Sequence, residues 1–205
     1  MKVSYNSLKR VFDFIGSLSA LVFLSPVLLI VGILIKLDSK GPIFFRQKRI
    51  GKDGRIFKIY KFRTMVQNAE KIGDKITKSD DPRITKIGKI LRRYEIDEIP
   101  TLINVLKGEM SIVGPRPEIP KFLQYYSGKY RKILSVRPGM TDLGTLRFRD
   151  EARYLKNGNA EETYIKRILP KKLSLYLEYV NNMGFMYDLG IIFKTFSLIF
   201  RQKKI

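Results

Sequence analysis

The most hydrophobic part of the chain runs from residue 11 to residue 37, VFDFIGSLSALVFLSPVLLIVGILIKL. At about 1.5 Å per residue, a continuous helix of this length would cover a membrane hydrocarbon core of about 30 Å. A secretory signal peptide is the alternative, but the stretch is longer than a signal core and lacks a small-residue cleavage site before a polar start. The pattern therefore predicts a membrane-embedded helix.

Ser25 and Pro26 stand in the middle of this apolar stretch. Proline lacks a backbone donor and clashes with the preceding turn, so the helix is expected to kink or break there. Basic residues favour the cytoplasmic side, and they flank both ends of the stretch: Lys2, Lys9 and Arg10 before it, and Lys36, Lys40, Arg46, Lys48 and Arg49 after it. We therefore expect a re-entrant helix-break-helix over residues 1–40. A kinked spanning helix is the alternative, because proline is common in such helices.

Two short β-prone stretches follow at residues 43–47 and 55–63, with glycine turn signals between them. They predict a small β-hairpin with basic side chains on one face. Three of these side chains are candidates to bind phosphate: Lys58, Lys61 and Arg63. Alternating basic and apolar residues are equally typical of a half-buried, solvated strand, so this pattern alone does not decide.

Helical spacing returns after Asp81-Pro82, within RITKIGKILRRY, where one face of the predicted helix is apolar: Ile84, Ile87 and Leu91. Residues 68–78 before it are polar and are expected to form a loop or a frayed helix. A further helix, ending at Gly108, is predicted within EIDEIPTLINVLKGEM from apolar residues at helical spacing: Leu102, Val105 and Leu106.

Asp97 is placed as the N-cap of that helix, with Glu98 in its first turn. A cap is an ordinary structural role, and Pro100 in the first turn is compatible with it. The positive field of a helix N-terminus, however, also keeps a carboxylate ionised and favours a nearby phosphate. Both interpretations of the Asp-Glu pair stay open at this point.

Two rigid turns each fix an arginine, in Gly114-Pro115-Arg116-Pro117 and in Arg137-Pro138-Gly139. Such turns can present a guanidinium fork to a phosphate, which makes Arg116 and Arg137 candidates for substrate binding.

Residues 165–180 are expected to be helical with a break at Pro170. The C-terminal stretch predicts an amphipathic interfacial helix, with core packing as the alternative, because apolar residues recur at helical spacing before a basic tail: Leu189, Ile192, Phe193, Phe196, Ile199 and Phe200.

The composition limits the binding partners and the kinds of catalytic site that the chain can have. A chain of 205 residues suits one compact domain, and 40 Lys and Arg against 19 Asp and Glu give a net charge of +21. This charge predicts affinity for a polyanion, and a membrane surface is favoured because no nucleic-acid motif is recognisable. The absence of cysteine and histidine excludes disulfides, thiol sites, histidine-ligated metals and Ser-His or Cys-His pairs.

Taken in order, the Ser-Pro anchor and four later segments resemble the bacterial sugar transferases, the small monotopic phosphoglycosyl transferases of glycoconjugate assembly: GPIFFRQKRIG, FKIYKFRTM, IDEIPTLINVLKGEMSIVGPRP and RPGMT. The resemblance covers nearly the whole chain through Thr141. There DLGTLRFRDEARYL replaces the Gly-Trp-Ala-Gln-Val type of continuation common in many members. Donor selection is expected to depend on this region, so the sugar is left open.

The resemblance implies an α+β, mostly helical fold with a re-entrant membrane helix over residues 1–40 and a catalytic domain over residues 41–205. The domain would lie on the cytoplasmic face of the bacterial inner membrane and carry a small β-hairpin and interfacial helices. The implied reaction is transfer of a C1-phosphosugar from a UDP-sugar to undecaprenyl phosphate, with magnesium required and UMP released. Membrane lipids and a second copy of the chain are the other expected partners, and nucleic acid is not expected.

The catalytic pair of the family falls on Asp97 and Glu98, and its substrate-binding residues fall on Lys61, Arg63 and Arg116. By resemblance, Asp97 is the nucleophile and a magnesium ligand, and we expect Glu98 to orient the metal or the acceptor phosphate. An aspartate can form an acyl phosphate that divides the transfer into two steps. Two other function classes stay open: a non-catalytic scaffold that holds anionic lipids, and, disfavoured by the long apolar stretch, a nucleic-acid-binding protein.

Overall fold

The computed structural model describes residues 2–69, 81–148 and 160–201. Within these ranges the chain is mostly helical, with two small sheets, in the order α1 (Lys2–Asp38), β1 (Phe44–Ile50), β2 (Ile56–Phe62), α2 (Lys86–Arg93), α3 (Leu102–Lys107), β3 (Ser111–Val113), β4 (Gly139–Thr141), α4 (Leu143–Arg147), α5 (Ala160–Thr163), α6 (Leu169–Asn182) and α7 (Phe185–Arg201). Short 3-10 helices lie at Lys52–Gly54, Ile96–Thr101, Pro120–Tyr125 and Gly128–Ser135, and a π-helical turn lies at Tyr164–Ile168.

Helix α1 runs from Lys2 to Asp38 with Pro26 inside it, so the predicted division into two separate helices is wrong, while the predicted kink at Pro26 stays a prediction. Pro26 has no amide to donate to the carbonyl of Val22, one turn earlier. The Ser25 hydroxyl donates to that carbonyl instead, at 2.8 Å. Because a serine side chain can replace the missing donor, the helix tolerates the proline. The segment Tyr5–Asp38 is long and apolar enough to cross a membrane, and its re-entrant course stays a prediction.

The N-terminal part of α1 is bonded to the rest of the domain by charged side chains, among them Lys9, which pairs with Asp188 of α7. Arg10 donates to the carbonyl oxygens of Val105 and Leu106, both at 2.7 Å, and so satisfies the C-terminal end of α3. Asp13 is buried, and its carboxylate accepts from the backbone amide of Ile112 at 3.0 Å. These contacts join the start of the apolar helix to α3 and β3.

The C-terminal part of α1 is bonded to the same domain. Val31 and Ile35 are buried in a cluster with Phe62 and Leu91, and the carboxylate of Asp38 accepts from the amide of Ile87 at 3.0 Å. Between these two bonded parts, α1 carries large apolar side chains that are exposed: Val22, Phe23, Val27, Leu29 and Ile30.

Strands β1 and β2 form the predicted antiparallel hairpin. Successive strand side chains point to opposite faces, which gives the hairpin two surfaces. We call one the inner face, which carries Phe45, Gln47, Arg49, Phe57, Ile59 and Lys61, and the other the outer face, which carries Phe44, Arg46, Lys48, Lys58, Tyr60 and Phe62. The largest apolar cluster packs α6 against the 3-10 helices and the end of β1: Ile50, Phe122, Tyr126, Ile133, Tyr164, Ile168, Leu169, Leu173 and Tyr176.

Several predicted elements have shifted ends. Helix α2 starts only after Thr85, whose hydroxyl accepts from the amide of Gly88 at 3.0 Å as an N-cap. Residues 160–182 are helical throughout, so the predicted break at Pro170 is wrong; a π-helical turn ends just before it, and Pro170 lies in the first turn of α6. In α7, Ile191 is buried while Phe193 is 72% exposed, as an amphipathic helix requires. The predictions for residues 70–78, for residues 149–155, for the tail after residue 201 and for the side chains of residues 199 and 200 lie outside the described residues.

Candidate active site

The Asp-Glu pair is held beside the hairpin by side chains that bond the free edge of β2. Asn104 of α3 is fully buried, accepts from the amide of Tyr60 at 2.9 Å and donates to the carbonyl of Lys58 at 2.9 Å. Thr101 donates to the carbonyl of Tyr60 at 3.0 Å. These bonds place the end of the 3-10 helix Ile96–Thr101 at the edge of the sheet, next to its inner face.

Glu98 organises two cations. Its Oε1 accepts from Nζ of Lys61 at 2.7 Å and from a terminal nitrogen of Arg116 at 2.5 Å. Burial by itself would raise the pKa of Glu98, but Arg116 and Lys61 outweigh it and hold that pKa well below its usual range. In return, Glu98 raises the pKa of Arg116. The carboxylate is therefore fixed as an anion, and the predicted residues Lys61, Glu98 and Arg116 are brought together.

Asp97 lies in a different environment from its neighbour. Burial raises the pKa of Asp97 to about 6 and Glu98 adds to this, while Lys61 and Arg92 oppose it. The prediction that Asp97 caps a helix is wrong, because the 3-10 helix begins one residue earlier and its N-cap is Glu95, in a left-handed conformation with φ of 56°. Asp97 lies inside this 3-10 helix and not at the position before it, so it does not cap the helix.

Arg116 is positioned by two turns that the sequence shows only separately. Strands β3 and β4 are parallel, and the amide of Gly139 donates to the carbonyl of Pro115 at 2.9 Å. A Cβ at Gly139 would lie 2.0 Å from the backbone nitrogen of Gly114, so the two turns can meet only through glycine. Their close contact orients the Gly-Pro-Arg-Pro turn toward Glu98.

Arg63 bonds the C-terminal end of the apolar helix α1. Its guanidinium donates to the carbonyls of Lys40, of Ser39 at 2.8 Å and of Ile35 at 3.3 Å. Gly41, with φ of +126°, leaves the space for it, since a Cβ there would lie 2.2 Å from the guanidinium. Arg63 makes no described contact with the Asp-Glu pair, and its role in substrate binding stays a prediction.

Arg137 likewise donates a hydrogen bond to a backbone carbonyl. Its Nε donates to the carbonyl of Gly108 at 2.8 Å, just beyond the C-terminus of α3. Lys58, whose backbone bonds Asn104, carries its side chain on the outer face and therefore lies outside the site. A basic side chain that caps a carbonyl and one that binds phosphate look alike in a sequence, so substrate binding by Arg137 also stays a prediction.

Two arginines join the site without having been predicted. Arg49 lies on the inner face and lines a narrow cleft with Lys61, Glu98 and Arg116. Its terminal nitrogens donate to Gln47 and to the carbonyl of Pro117, while its Nε is buried without a hydrogen-bond partner among the described residues. Burial lowers the pKa of Arg49, with Glu118 opposing.

Arg92 of α2 is the second addition. Its Nε donates to the hydroxyl of Thr64 at 2.8 Å, and its charge lowers the pKa of Asp97. The sequence signal for both arginines is slight, because Arg49 stands in a uniformly basic run and Arg92 in the Arg92-Arg93 pair of a helix. Only the packing of α2 and β1 around the 3-10 helix separates these arginines from their neighbours.

The carboxylates of the described residues could hold magnesium only together with a bound substrate. Among the described residues no cluster of three or more Asp and Glu side chains could enclose a metal ion. Mg²⁺ is commonly held by one or two carboxylates together with substrate phosphates. Asp97 makes no described hydrogen bond to another side chain and is the available carboxylate, whereas Glu98 is already engaged by two cations.

The similarity to known proteins covers nearly the whole chain. The model of a family described as "Bacterial sugar transferase" matches residues 4–202. An exopolysaccharide production protein PSS of Rhizobium leguminosarum bv. phaseoli is 41% identical over 195 residues, covering 92% of each chain. A UDP-N-acetylgalactosamine-undecaprenyl-phosphate N-acetylgalactosaminephosphotransferase of Aeromonas hydrophila is 38% identical over 95% of this chain, and a UDP-glucose:undecaprenyl-phosphate glucose-1-phosphate transferase of Escherichia coli is 37% identical over 92%. The chain spans only 44% and 39% of the length of these last two relatives.

Proposed function

Because the chain belongs to the bacterial sugar transferase family, we propose that it transfers a sugar phosphate from a UDP-sugar to undecaprenyl phosphate at a membrane. The observation that carries this proposal is a pair of adjacent, unlike carboxylates, Glu98 in the cleft and Asp97 next to it in the chain. Glu98 fixes Lys61 and Arg116, while Asp97 has no hydrogen-bonded side-chain partner among the described residues. The names of the Aeromonas and Escherichia relatives describe this type of transfer.

In the proposed reaction, a carboxylate oxygen of Asp97 attacks the phosphorus attached to the sugar. The new bond joins that oxygen to phosphorus, and the bond from phosphorus to the bridging oxygen breaks, so UMP leaves with that oxygen. An oxygen of undecaprenyl phosphate then attacks the same phosphorus, and the bond to Asp97 breaks. The products are the diphosphate-linked lipid sugar and the free carboxylate, and a pKa of about 6 leaves Asp97 mostly ionised at neutral pH.

Three cations of the cleft can stabilise the charge on the phosphates. Arg116 offers a planar fork, Lys61 a point charge, and Arg49 a buried nitrogen without a partner among the described residues. A positioned cation aimed at developing charge is commonly the largest contribution to catalysis of this kind. Magnesium, when bound through Asp97 and the donor diphosphate, would neutralise further negative charge there.

The proposed location is the cytoplasmic face of the inner membrane, with α1 re-entrant. Both ends of α1 are bonded to one domain, through Arg10 and Asp13 before the bare apolar segment and Asp38 after it. A domain on one side of a bilayer can hold both ends when the helix, kinked at Pro26, enters and leaves on that side. Single-cysteine variants in this cysteine-free chain test the topology, because labels before residue 11 and after residue 37 should react from the same face. Labelling from opposite faces would show a spanning helix.

The reaction is tested by measuring UMP release from detergent-purified protein with magnesium, undecaprenyl phosphate and a panel of UDP-sugars. Asp97→Asn should abolish release. Asp53→Asn is the matched control, because Asp53 lies in the hairpin turn at φ of 56°, a conformation that asparagine also adopts readily. Full turnover by Asp97→Asn would exclude the covalent route. Silence of the folded wild-type protein across the panel would favour the scaffold function instead.

A further inference from the structure

The outer face of the hairpin brings like charges together. In the strand register Lys48 lies directly opposite Lys58, and Arg46 lies opposite Tyr60. Arg46, Lys48 and Lys58 are all exposed. Like charges directly opposite each other on one face of an antiparallel pair destabilise it. The strands therefore hold three cations side by side at a cost to the hairpin.

No described ion pair neutralises this group. Arg46, Lys48, Lys58 and Lys107 form no ion pair with a carboxylate among the described residues, in contrast to Lys61 on the inner face. Glu109 lines the same shallow pocket, where its Oε2 accepts from Nδ2 of Asn104 at 2.7 Å, and this one carboxylate offsets only one of the four positive charges. The positive charge of the outer face is left for a partner from outside the domain.

Tyr60 holds two of these cations in place. The guanidinium of Arg46 lies 4.5 Å from the centre of the Tyr60 ring, and Nζ of Lys107 lies 4.7 Å from it. Lys107 also donates to the Tyr60 hydroxyl at 3.1 Å. Contacts of a cation with an aromatic face are attractive and restrict the cation's motion. The basic group is thus built around an aromatic side chain and is more ordered than a set of free surface lysines.

The same face is continuous with the membrane helix. Phe44 stacks on Phe62 with ring centres 5.6 Å apart, and Phe62 packs on Val31 and Ile35 of α1. Along the hairpin the cross-strand pairs then change from aromatic, to Arg46 with Tyr60, to Lys48 with Lys58. Aromatic side chains followed by basic ones at the end of a membrane-embedded helix match the order of the bilayer interface and its anionic headgroups.

We propose that Arg46, Lys48, Lys58 and Lys107 form a binding surface for the phosphate groups of anionic membrane phospholipids, separate from the cleft of the candidate active site. The separation follows from strand alternation, since the inner face carries Arg49 and Lys61 and the outer face carries their neighbours. This surface would add a contact with the bilayer to the one made by α1, and its role does not depend on the proposed transfer reaction.

The test compares binding of fluorescent phosphatidylglycerol and phosphatidylcholine to the full, detergent-purified chain in mixed micelles. The variant replaces Arg46, Lys48 and Lys58 by glutamine. Each cation near an anionic surface contributes about fivefold in affinity, so the triple variant should bind phosphatidylglycerol roughly a hundredfold more weakly. Its binding of phosphatidylcholine should not change, and the wild-type preference for phosphatidylglycerol should fall with added salt.

A control variant replaces Lys129, Arg131 and Lys171, three exposed cations elsewhere in the domain, by glutamine. It should keep the phosphatidylglycerol preference of the wild type. UMP release, measured beside binding, should stay within twofold for both triple variants, so that loss of lipid preference and loss of the transfer reaction are told apart. Equal phosphatidylglycerol binding by wild type and outer-face variant would overturn the proposal, as would displacement of the lipid by inorganic phosphate at equal concentration.

Discussion

The two faces of the hairpin treat their cations in opposite ways. On the inner face, Lys61 is paired with Glu98, and Arg49 is enclosed by Gln47 and a backbone carbonyl. On the outer face, Lys48 and Lys58 oppose each other with no carboxylate partner among the described residues. The same two strands therefore carry hydrogen-bonded, partly neutralised cations on one side and exposed cations without a described ion pair on the other.

The difference teaches how one short element can serve two purposes. A cation held by an anion keeps its position without substrate, which is the condition for stabilising charge in a transition state. A cation left without an anion keeps its attraction for an external partner instead. The experiments below change one face at a time, because exchanging neighbouring residues on a strand exchanges faces.

The largest effect is expected from Glu98→Gln. The change keeps the shape of the side chain but removes the negative charge that holds Lys61 and Arg116 together. UMP release should fall by about a hundredfold or more, the loss usual when a charged group that organises a site is removed. Arg46→Gln on the outer face is the comparison and should leave release within twofold. Equal activities of the two variants would remove the distinction between the faces.

The next effect concerns the bonds that hold the site against the hairpin. Asn104→Ala leaves the buried amide of Tyr60 and the carbonyl of Lys58 without partners. The free energy of unfolding should fall by about 2–3 kcal/mol, since each unpaired buried polar group costs about 1–3 kcal/mol. Denaturant unfolding in detergent measures it. Asn181→Ala, at an exposed position, is the control and should change stability little; a similar loss there would show that asparagine removal in general is responsible.

Arg49→Gln and Lys48→Gln compare the faces at adjacent residues. Arg49 lines the cleft with a buried nitrogen that lacks a described partner, whereas Lys48 is exposed on the outer face. Arg49→Gln should lower UMP release by roughly tenfold, in the range of one lost charge-assisted hydrogen bond. Lys48→Gln should keep the release rate in detergent. An unchanged rate of UMP release in Arg49→Gln would show that this arginine has only a structural role.

The smallest effect tests a balanced pair away from the hairpin. Hydrogen bonds from Arg83 are the main cause that lowers the pKa of Asp81 to about 2. Because the folded-state pKa is lower than in the unfolded chain, Asp81 contributes stability at neutral pH that is lost as the pH falls from about 4 toward 2. Asp81→Asn should therefore unfold slightly more easily than wild type at pH 7, with no difference near pH 2. A difference independent of pH would mean that packing, not charge, is responsible.

Much of the fold follows from the sequence because its signals are local. The hairpin and the stop at Gly108 depend on residues within a few positions of one another. The uninterrupted α1 was missed because the Ser25 hydroxyl replaces the donor that Pro26 lacks, a compensation that pattern reading does not weigh. The cap at Asp97 was missed because a 3-10 turn begins one residue before the expected helix.

Site residues that belong to a sequence motif could be predicted, whereas those brought to the site by the packing of distant elements could not. Glu98, Lys61 and Arg116 were named from their motifs and lie together. Arg49 and Arg92 belong to the site only because distant elements fold around it. Arg63 was named for phosphate, yet its described bonds are to carbonyl oxygens at the end of α1.

The attachment of α1 at both ends bears on how the protein can be made and re-engineered. A segment bonded to the domain only at one end could be exchanged for any other hydrophobic helix, or cut away to yield a water-soluble enzyme. Here α1 supplies Arg10 to the carbonyls of α3 and Asp13 to β3, so removing it leaves those backbone groups without their partners. The domain therefore completes its fold only with α1 in place, and shortened forms should be built around this helix rather than without it.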